Sequence, residues 1–493
     1  MGDQEDVETD AGKCFAQDYR GSQSAQVIPI SMSPPVNDRT TSPTDWAGGE
    51  LNPQDAWLPI TESRKGSTYS ATFHLLSSGI GIQALLLPVA FATLGWAWGI
   101  ICLSLVYSWK LYTIWLLVRL HESESGFRYS RYIQLAITAF GPKLGKLLTM
   151  FPVMYLSGGM CVQLIILGGG TIKLLVRTVC KDGATCDPNS MNGILCFFVF
   201  VFMAIALAEY FPNLNSISGV SVIGTITAIV YCTMIWTLSI CKGRPNVISY
   251  EPPATKSSME SFSCVLDSLG IIFLAFRGQN VILEIQGTLP SNPKYPSHKR
   301  MWSGVTMSYV VIAMCLFPLA IGGYWAYGNK VPFTNAAILK AVSQFHGQNT
   351  SEYVLGLLCI LVLINCLTTF QIYVMVVFDN MEIKYTSRKK EPCPRWLRIV
   401  FRLFFGGLAF FVAVALPFLG SLSPLIGAVT SVPLTYAYPC FMWISMKKPK
   451  PKGVIWCTNM GLGCLGLVLS VLFVVAAAWN LADKGLVANF FKP

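Results

Sequence analysis

Charge is scarce in this chain. Asp, Glu, Lys and Arg together supply 12% of the residues, about half the share usual in a soluble domain. Hydrophobic residues supply 53%, more than one core of a 493-residue soluble protein could hide. Also missing are HExxH, GxSxG and a Gly-rich Walker loop, and the polar connections are too short for a soluble catalytic domain. These absences argue against an enzyme and against a nucleotide-driven pump. No charged rings or filter repeats suggest a channel. No CxxC pair or Cys/His spacing suggests a metal site, and most of the sixteen cysteines lie singly inside apolar runs, as small buried hydrophobes do. Residues 1–60 hold no apolar core of a signal peptide, so the first membrane helix is expected to serve as its own targeting signal. The net charge of +11 does not point to nucleic acid, because the basic residues sit between apolar runs.

Those runs are what the sequence does have. Stretches of ~20 apolar residues, enough to cross ~30 Å of hydrocarbon, recur along it. They predict an all-α integral membrane protein with about eleven transmembrane helices, near 69–91, 95–119, 147–177, 191–210, 216–241, 262–287, 302–326, 352–381, 396–416, 420–446 and 454–482. Residues 1–67 read as a disordered cytosolic tail and 68–493 as the transporter domain. Lys and Arg cluster in alternate connections: Arg128, Arg131 and Lys143; Lys294, Lys299 and Arg300; Arg388 to Lys390; Lys447 to Lys452. By the positive-inside rule these are cytosolic, which puts the N-terminus inside and the C-terminus outside. The sequon Asn349-Thr350-Ser351 then falls outside, as a glycosylation site must. Cys180 and Cys186 also fall outside, either as a disulfide or as two unrelated thiols.

Two helices are interrupted. The first reads Ser77-Ser78-Gly79-Ile80-Gly81-Ile82-Gln83 before Pro88; the sixth reads Phe276-Arg277-Gly278-Gln279-Asn280 before Leu283-Glu284 and Pro290. Glycine costs ~1 kcal/mol inside a helix and a charge at the bilayer centre ~2.5–3.5 kcal/mol or more, so such clusters need a reason. Close helix packing through small residues is one. Their placement in helices one and six suggests another: two five-helix inverted repeats, about 69–241 and 262–446, each opening with a discontinuous helix, plus an extra helix at 454–482. Unwound turns at the midplane expose backbone N–H and C=O groups, which suit the carboxylate and ammonium of an amino acid.

At these residues the sequence resembles the amino acid/auxin permease family, in its plant lysine-histidine transporter-like branch. The matching pieces include Phe73-His74 with Gly81 and Pro88; Leu94-Gly95-Trp96; Ala139-Phe140-Gly141; Asn213 to Gly219; Gly278 and Asn280 with Leu283-Glu284-Ile285-Gln286; Gln371-Ile372-Tyr373 with Phe378-Asp379; and Tyr438-Pro439-Cys440. The resemblance implies import of amino acids across the plasma membrane, with protons as the coupling ion and no other cofactor. An amino acid sensor on the same fold is the alternative that sequence cannot separate. Gln83, Arg277 and Gln279 depart from the family pattern as the resemblance gives it.

The expected substrate site comprises Gly79, Gly81 and Gln83 of helix one and Arg277, Gly278, Gln279 and Asn280 of helix six. Arg277 either faces the cavity, favouring neutral or acidic substrates over lysine, or ties down another helix. Thr368 and Thr369 of helix eight stand where hydroxyls bind an ion in related sodium-driven folds, or they bond the previous turn. His74 and Glu284 are the proton-coupling candidates. The bland readings are a capping or packing histidine and a carboxylate partnering a cation. Asp379 and Glu382 near a cytosolic end suit gating, and Lys173 suits snorkelling.

Overall fold

The computed structural model describes residues 57–484 apart from 62–63, 124–125, 181–190, 213, 215, 242, 245–247, 253–256, 293, 333–336, 347–349 and 417–418. No β-strand occurs among the described residues. Helix α1 (Thr68–Gly79) starts where the Ser67 hydroxyl accepts the Ser70 N–H at 3.1 Å, a side-chain cap for an otherwise orphaned donor. It ends at Ile80 and Gly81, and a short 3-10 turn at Ile82–Leu86 leads into α2 (Leu87–Leu120), with Pro88 in its first turn. Gly95, at φ 72° and ψ −178°, bends α2 sharply. Residues 87–94 therefore complete the first span and 96–120 form the second.

The third span joins α4 (Pro142–Met154), a π turn at Tyr155–Gly159 and α5 (Met160–Val179), after the short helix α3 (Tyr132–Phe140). Then come α6 (Gly193–Tyr210) and α7 (Ser218–Cys241). The sixth span is α8 (Ser258–Ala275), a break, a 3-10 turn at Gln279–Val281 and α9 (Ile282–Gly287). Helix α10 (Ser297–Tyr327), the short α11 (Ala337–His346), α12 (Glu352–Lys389) and α13 (Arg395–Ala415) follow. The tenth span is α14 (Leu419–Val432), a π turn at Pro433–Ala437 and α15 (Tyr438–Lys447); α16 (Val454–Lys484) is the last. Ten of the described helical stretches are long and apolar enough to cross a membrane, and the bend at Gly95 divides one of them, Ala84–Leu120. About eleven spans result. Helices α3 and α11, and both π turns, were not foreseen in the sequence.

Helix α1 packs between α7, α10 and α12, and α12 packs along α5. Outward sides of the peripheral helices, such as Leu403, Phe404 and Phe411 on α13 and Val468 and Val471 on α16, remain exposed and apolar. Lipid is the solvent that suits them.

One end of the bundle, where the Lys/Arg-rich connections lie, is held by ion pairs. Arg131 grips Asp379 through two hydrogen bonds, 2.7 and 3.2 Å, and both side chains are buried. Arg402 meets Glu209 at 2.6 Å and Arg398 meets Glu382 at 3.1 Å. Arg128 donates to the Leu289 carbonyl at 2.8 Å, at the foot of the sixth span. The chain before α1 is anchored here as well. Leu58 and Ile60 are buried, the Leu214 N–H donates to the Pro59 carbonyl, Arg398 donates to that of Trp57, and the Gly66 N–H donates to Thr288. Leu58 to Thr61 and Gly66 are thus buried against the bundle.

His121, directly after α2, is fully buried at this end with both ring nitrogens lacking a hydrogen-bond partner among the described residues. Burial, reinforced by the Arg128 and then the Arg64 guanidinium, holds its imidazole well below the usual range. The unfolded chain binds a proton there below pH ~6.5 while the folded chain resists it, so this contribution to stability is complete above that pH and is lost as the pH falls toward the folded value. His121→Leu is expected to narrow the gap between melting temperatures measured at pH 5 and pH 7.5; an unchanged gap would locate the acid sensitivity elsewhere.

Candidate functional site

The two helix breaks lie side by side. Ile80 and Phe276 form an isolated antiparallel backbone bridge, so the unwound turns of the first and sixth spans meet where each helix has lost its own ladder. Gly278 adopts φ 83° and ψ 7°, a left-handed conformation that an L side chain enters at ~1–2 kcal/mol. A Cβ there would also stand 3.0 Å from Ser78 Oγ in the facing break. This glycine is required by both backbone and space.

Helix α12 secures the first break. The Tyr373 hydroxyl donates to the Ser78 carbonyl and the Thr369 hydroxyl to the Ser77 carbonyl, each at 3.0 Å. Thr368 instead bonds its own preceding turn at the Asn365 carbonyl, 3.0 Å. The two neighbouring threonines thus differ, since only Thr369 reaches across to helix one. The third span secures the second break: Asn280 donates to Ser157 Oγ of the π turn at 3.0 Å, and Arg277 donates to Gln163 Oε1 of α5 at 3.2 Å.

A small cavity opens beside the sixth-span break. Arg277, Gly278, Gln279 and Asn280 line it, together with Tyr155 and Gln163 of the third span and Thr435 of the tenth. Arg277 therefore both faces the cavity and ties the sixth span to the third; the two expectations for it are not exclusive. Gln279 is 2% exposed, and neither its amide oxygen nor its amide nitrogen has a partner among the described residues. A buried amide with an unused donor and acceptor costs free energy that a polar ligand can recover. Gly79 and Gly81 are not among the lining residues. Gly79 is a packing glycine, because a Cβ there would come within 2.8 Å of Ile312 on α10. Gly81 forms the extended turn before the 3-10 segment, and the side chain of Gln83 lies outside the described residues.

The candidate proton groups stand apart from the cavity. His74 is fully buried, its Nδ1 2.7 Å from Ser221 Oγ on α7, and its Nε2 has no hydrogen-bond partner among the described residues. Capping belongs to Ser67, not to His74. Glu284 Oε1 accepts the Tyr132 N–H at 3.3 Å, its Oε2 has no hydrogen-bond partner among the described residues, and the Arg131–Asp379 pair is its charged neighbourhood. It does not meet Arg277. Cys180 is disulfide-bonded, while Cys186 and Asn349 lie outside the described residues.

The sequence reading missed Tyr155, Ser157, Gln163 and the tenth-span residues Ser431 and Thr435. A signal was available for both π turns. Pro152 stands just before Tyr155 and Pro433 opens the second turn; proline removes an N–H from the ladder, and π turns gather at functional sites.

The family model described as transmembrane amino acid transporter protein matches residues 64–482. Lysine histidine transporter-like 8 of Arabidopsis thaliana is 50% identical over 444 residues, covering 90% of this chain and 84% of that protein. Lysine histidine transporter-like 7 of the same plant is 46% identical over 478 residues, covering 96% and 98%. Among solved structures, a substrate-bound outward-open Na+-coupled sialic acid symporter aligns with a TM-score of 0.53 at 11% identity, over 88% of this chain and 92% of that one. MhsT in complex with L-phenylalanine aligns at 0.51 and 10% identity, over 83% and 98%. The likeness to these two establishes a shared fold.

Proposed function

The chain belongs to the transmembrane amino acid transporter family, and from that premise we propose that it imports neutral or acidic amino acids together with protons, binding them where the first and sixth spans are broken. The observation that supports this most is the pairing of the two breaks beside a cavity holding an unpartnered Gln279 amide and the Arg277 guanidinium. Broken helices offer a carboxylate their free N–H groups and an ammonium their free carbonyls. Arg277 is the charged residue of the cavity lining, and a guanidinium cannot give up its proton. It therefore disfavours a cationic side chain. His74 and Glu284 are the carriers proposed for the coupled proton. The basic connections face the cytosol of a cell whose plasma membrane holds the protein, with the C-terminus outside. An impermeant reagent should then leave a cysteine introduced at Lys389 unlabelled in intact cells.

A competition panel tests the role of Arg277. Lysine is expected to compete poorly with alanine or glutamate in the wild type, and Arg277→Ala is expected to gain lysine uptake. Equal competition by lysine in the wild type would remove Arg277 from substrate selection. Glu284→Gln is expected to flatten the pH dependence of uptake; an unaltered pH profile would remove Glu284 from coupling.

A further inference from the structure

Lys110 has no structural partner that explains it. It lies in the second span ten residues before the end of α2, roughly 15 Å of helix from that end. Its side chain is 0% exposed and its Nζ has no hydrogen-bond partner among the described residues. A lysine in a membrane helix ordinarily snorkels toward a polar boundary. This one points into the bundle instead, on the buried stripe of Leu103, Val106, Thr113 and Leu117.

Two aromatic neighbours on the same turn place it against the broken sixth span. The Tyr107 ring lies 5.8 Å from that of Phe276, within the break, and its hydroxyl donates to the Tyr309 carbonyl on α10 at 3.0 Å. Trp109 packs edge-on against Phe273 of α8 at 5.8 Å and Tyr436 of the tenth span at 5.2 Å. The ring contacts of Tyr107 and Trp109 bring the phenols Tyr309 and Tyr436 to this level; the other titratable groups on elements packed against α2 are Tyr438, Cys440 and Lys447 of α15, His298, Lys299 and Arg300 in the first turn of α10, and Lys330 beyond its end. The carboxylates on those helices are committed or remote. Asp267 of α8 is bonded by Asn480, Glu284 of α9 takes the Tyr132 N–H, and Glu260 stands in the first turn of α8.

We propose that Lys110 carries a proton during the transport cycle, taking it up when the wall at the sixth break opens and losing it when the wall closes. This rests on the reading of proton-driven import. An ammonium enclosed without a counter-charge or hydrogen bond costs several kcal/mol, so the closed packing holds the free amine. Movement of α8 or α9 about the break parts Phe276 from Tyr107 and admits water. The amine lone pair then forms an N–H bond with a proton delivered from the outer side. Re-closure breaks that bond and hands the proton to water on the inner side, which returns the amine to its starting state. This proton is additional to any carried by His74 and Glu284, and the helix that holds the substrate is the helix that gates it.

The test uses full-length protein in liposomes with an imposed pH gradient and labelled amino acid. Lys110→Met keeps length and packing but cannot be protonated. It is expected to lose gradient-driven accumulation, to keep exchange of external for internal amino acid, and to show substrate affinity that no longer varies with pH. Accumulation equal to wild type would overturn the proposal. So would failure of both Lys110→Met and Lys110→Leu to fold, since that would make the lysine structural. If the wild type itself shows no gradient-driven uptake, the proposed function falls with it; if only the variants behave like wild type, Lys110 alone is removed.

Discussion

Gly278→Val is expected to abolish uptake, lowering the initial rate by ~100-fold or more while the protein still reaches the membrane. The left-handed backbone at φ 83° costs any L residue ~1–2 kcal/mol, and a branched side chain more. The added carbons also meet Ser78 Oγ across the paired breaks, 3.0 Å from the new Cβ. Separating Ile80 from Phe276 by even a fraction of an ångström disturbs both halves of the site at once. With each tenfold loss worth ~1.4 kcal/mol, backbone strain and steric displacement together account for two decades. Gly278→Ala should fall between. Rates normalised to surface expression decide it, and near wild-type uptake by the valine variant would mean that the break at Gly278 does not form the site.

Asp379→Ala is expected to cost ~3–5 kcal/mol of stability, because it leaves the Arg131 guanidinium buried without its paired carboxylate. The two side chains are 8% and 1% exposed, too enclosed for water to substitute. The comparison is Glu209→Ala, which removes the partner of Arg402. Arg402 is itself 4% exposed but also donates to the Pro212 carbonyl at 3.5 Å, and Glu209 is 47% exposed, so that change should cost less than Asp379→Ala. Thermal melts of the two variants in detergent should differ accordingly. Since Arg131–Asp379 bridges the α3 connection to α12 beside Glu284, its loss should also raise the reactivity of a cysteine introduced at Tyr132. Equal melts for the two variants would show that the pair does not lock this end.

The sequence makes the spans, both breaks and the sixth-span half of the cavity legible, because those features are written in local terms. Apolar length marks a span, and Gly-polar clusters such as Arg277-Gly278-Gln279-Asn280 mark a break. What it hides depends on neighbours distant in the chain. Gly79 and Gly81 look equivalent to Gly278, yet Gly79 is spent on packing against Ile312. Thr368 and Thr369 are adjacent and identical, but only the second reaches helix one. Tyr155, Gln163 and Thr435 enter the cavity because π turns rotate the following residues, a shift that no periodicity reports. Lys110 stands out only once the packing around α2 is known. Residues 57–61 read as tail because three apolar side chains, Trp57, Leu58 and Ile60, make no periodic pattern of their own.

The most direct test of the whole account is uptake of labelled alanine and glutamate by the purified full-length protein in liposomes, with the pH outside held below that inside. Transient accumulation above the external concentration, abolished when a protonophore collapses the gradient and absent with Gly278→Val, is the predicted result. Saturable binding of the amino acid with no accumulation under any gradient would contradict it and make the protein a sensor built on a transporter fold.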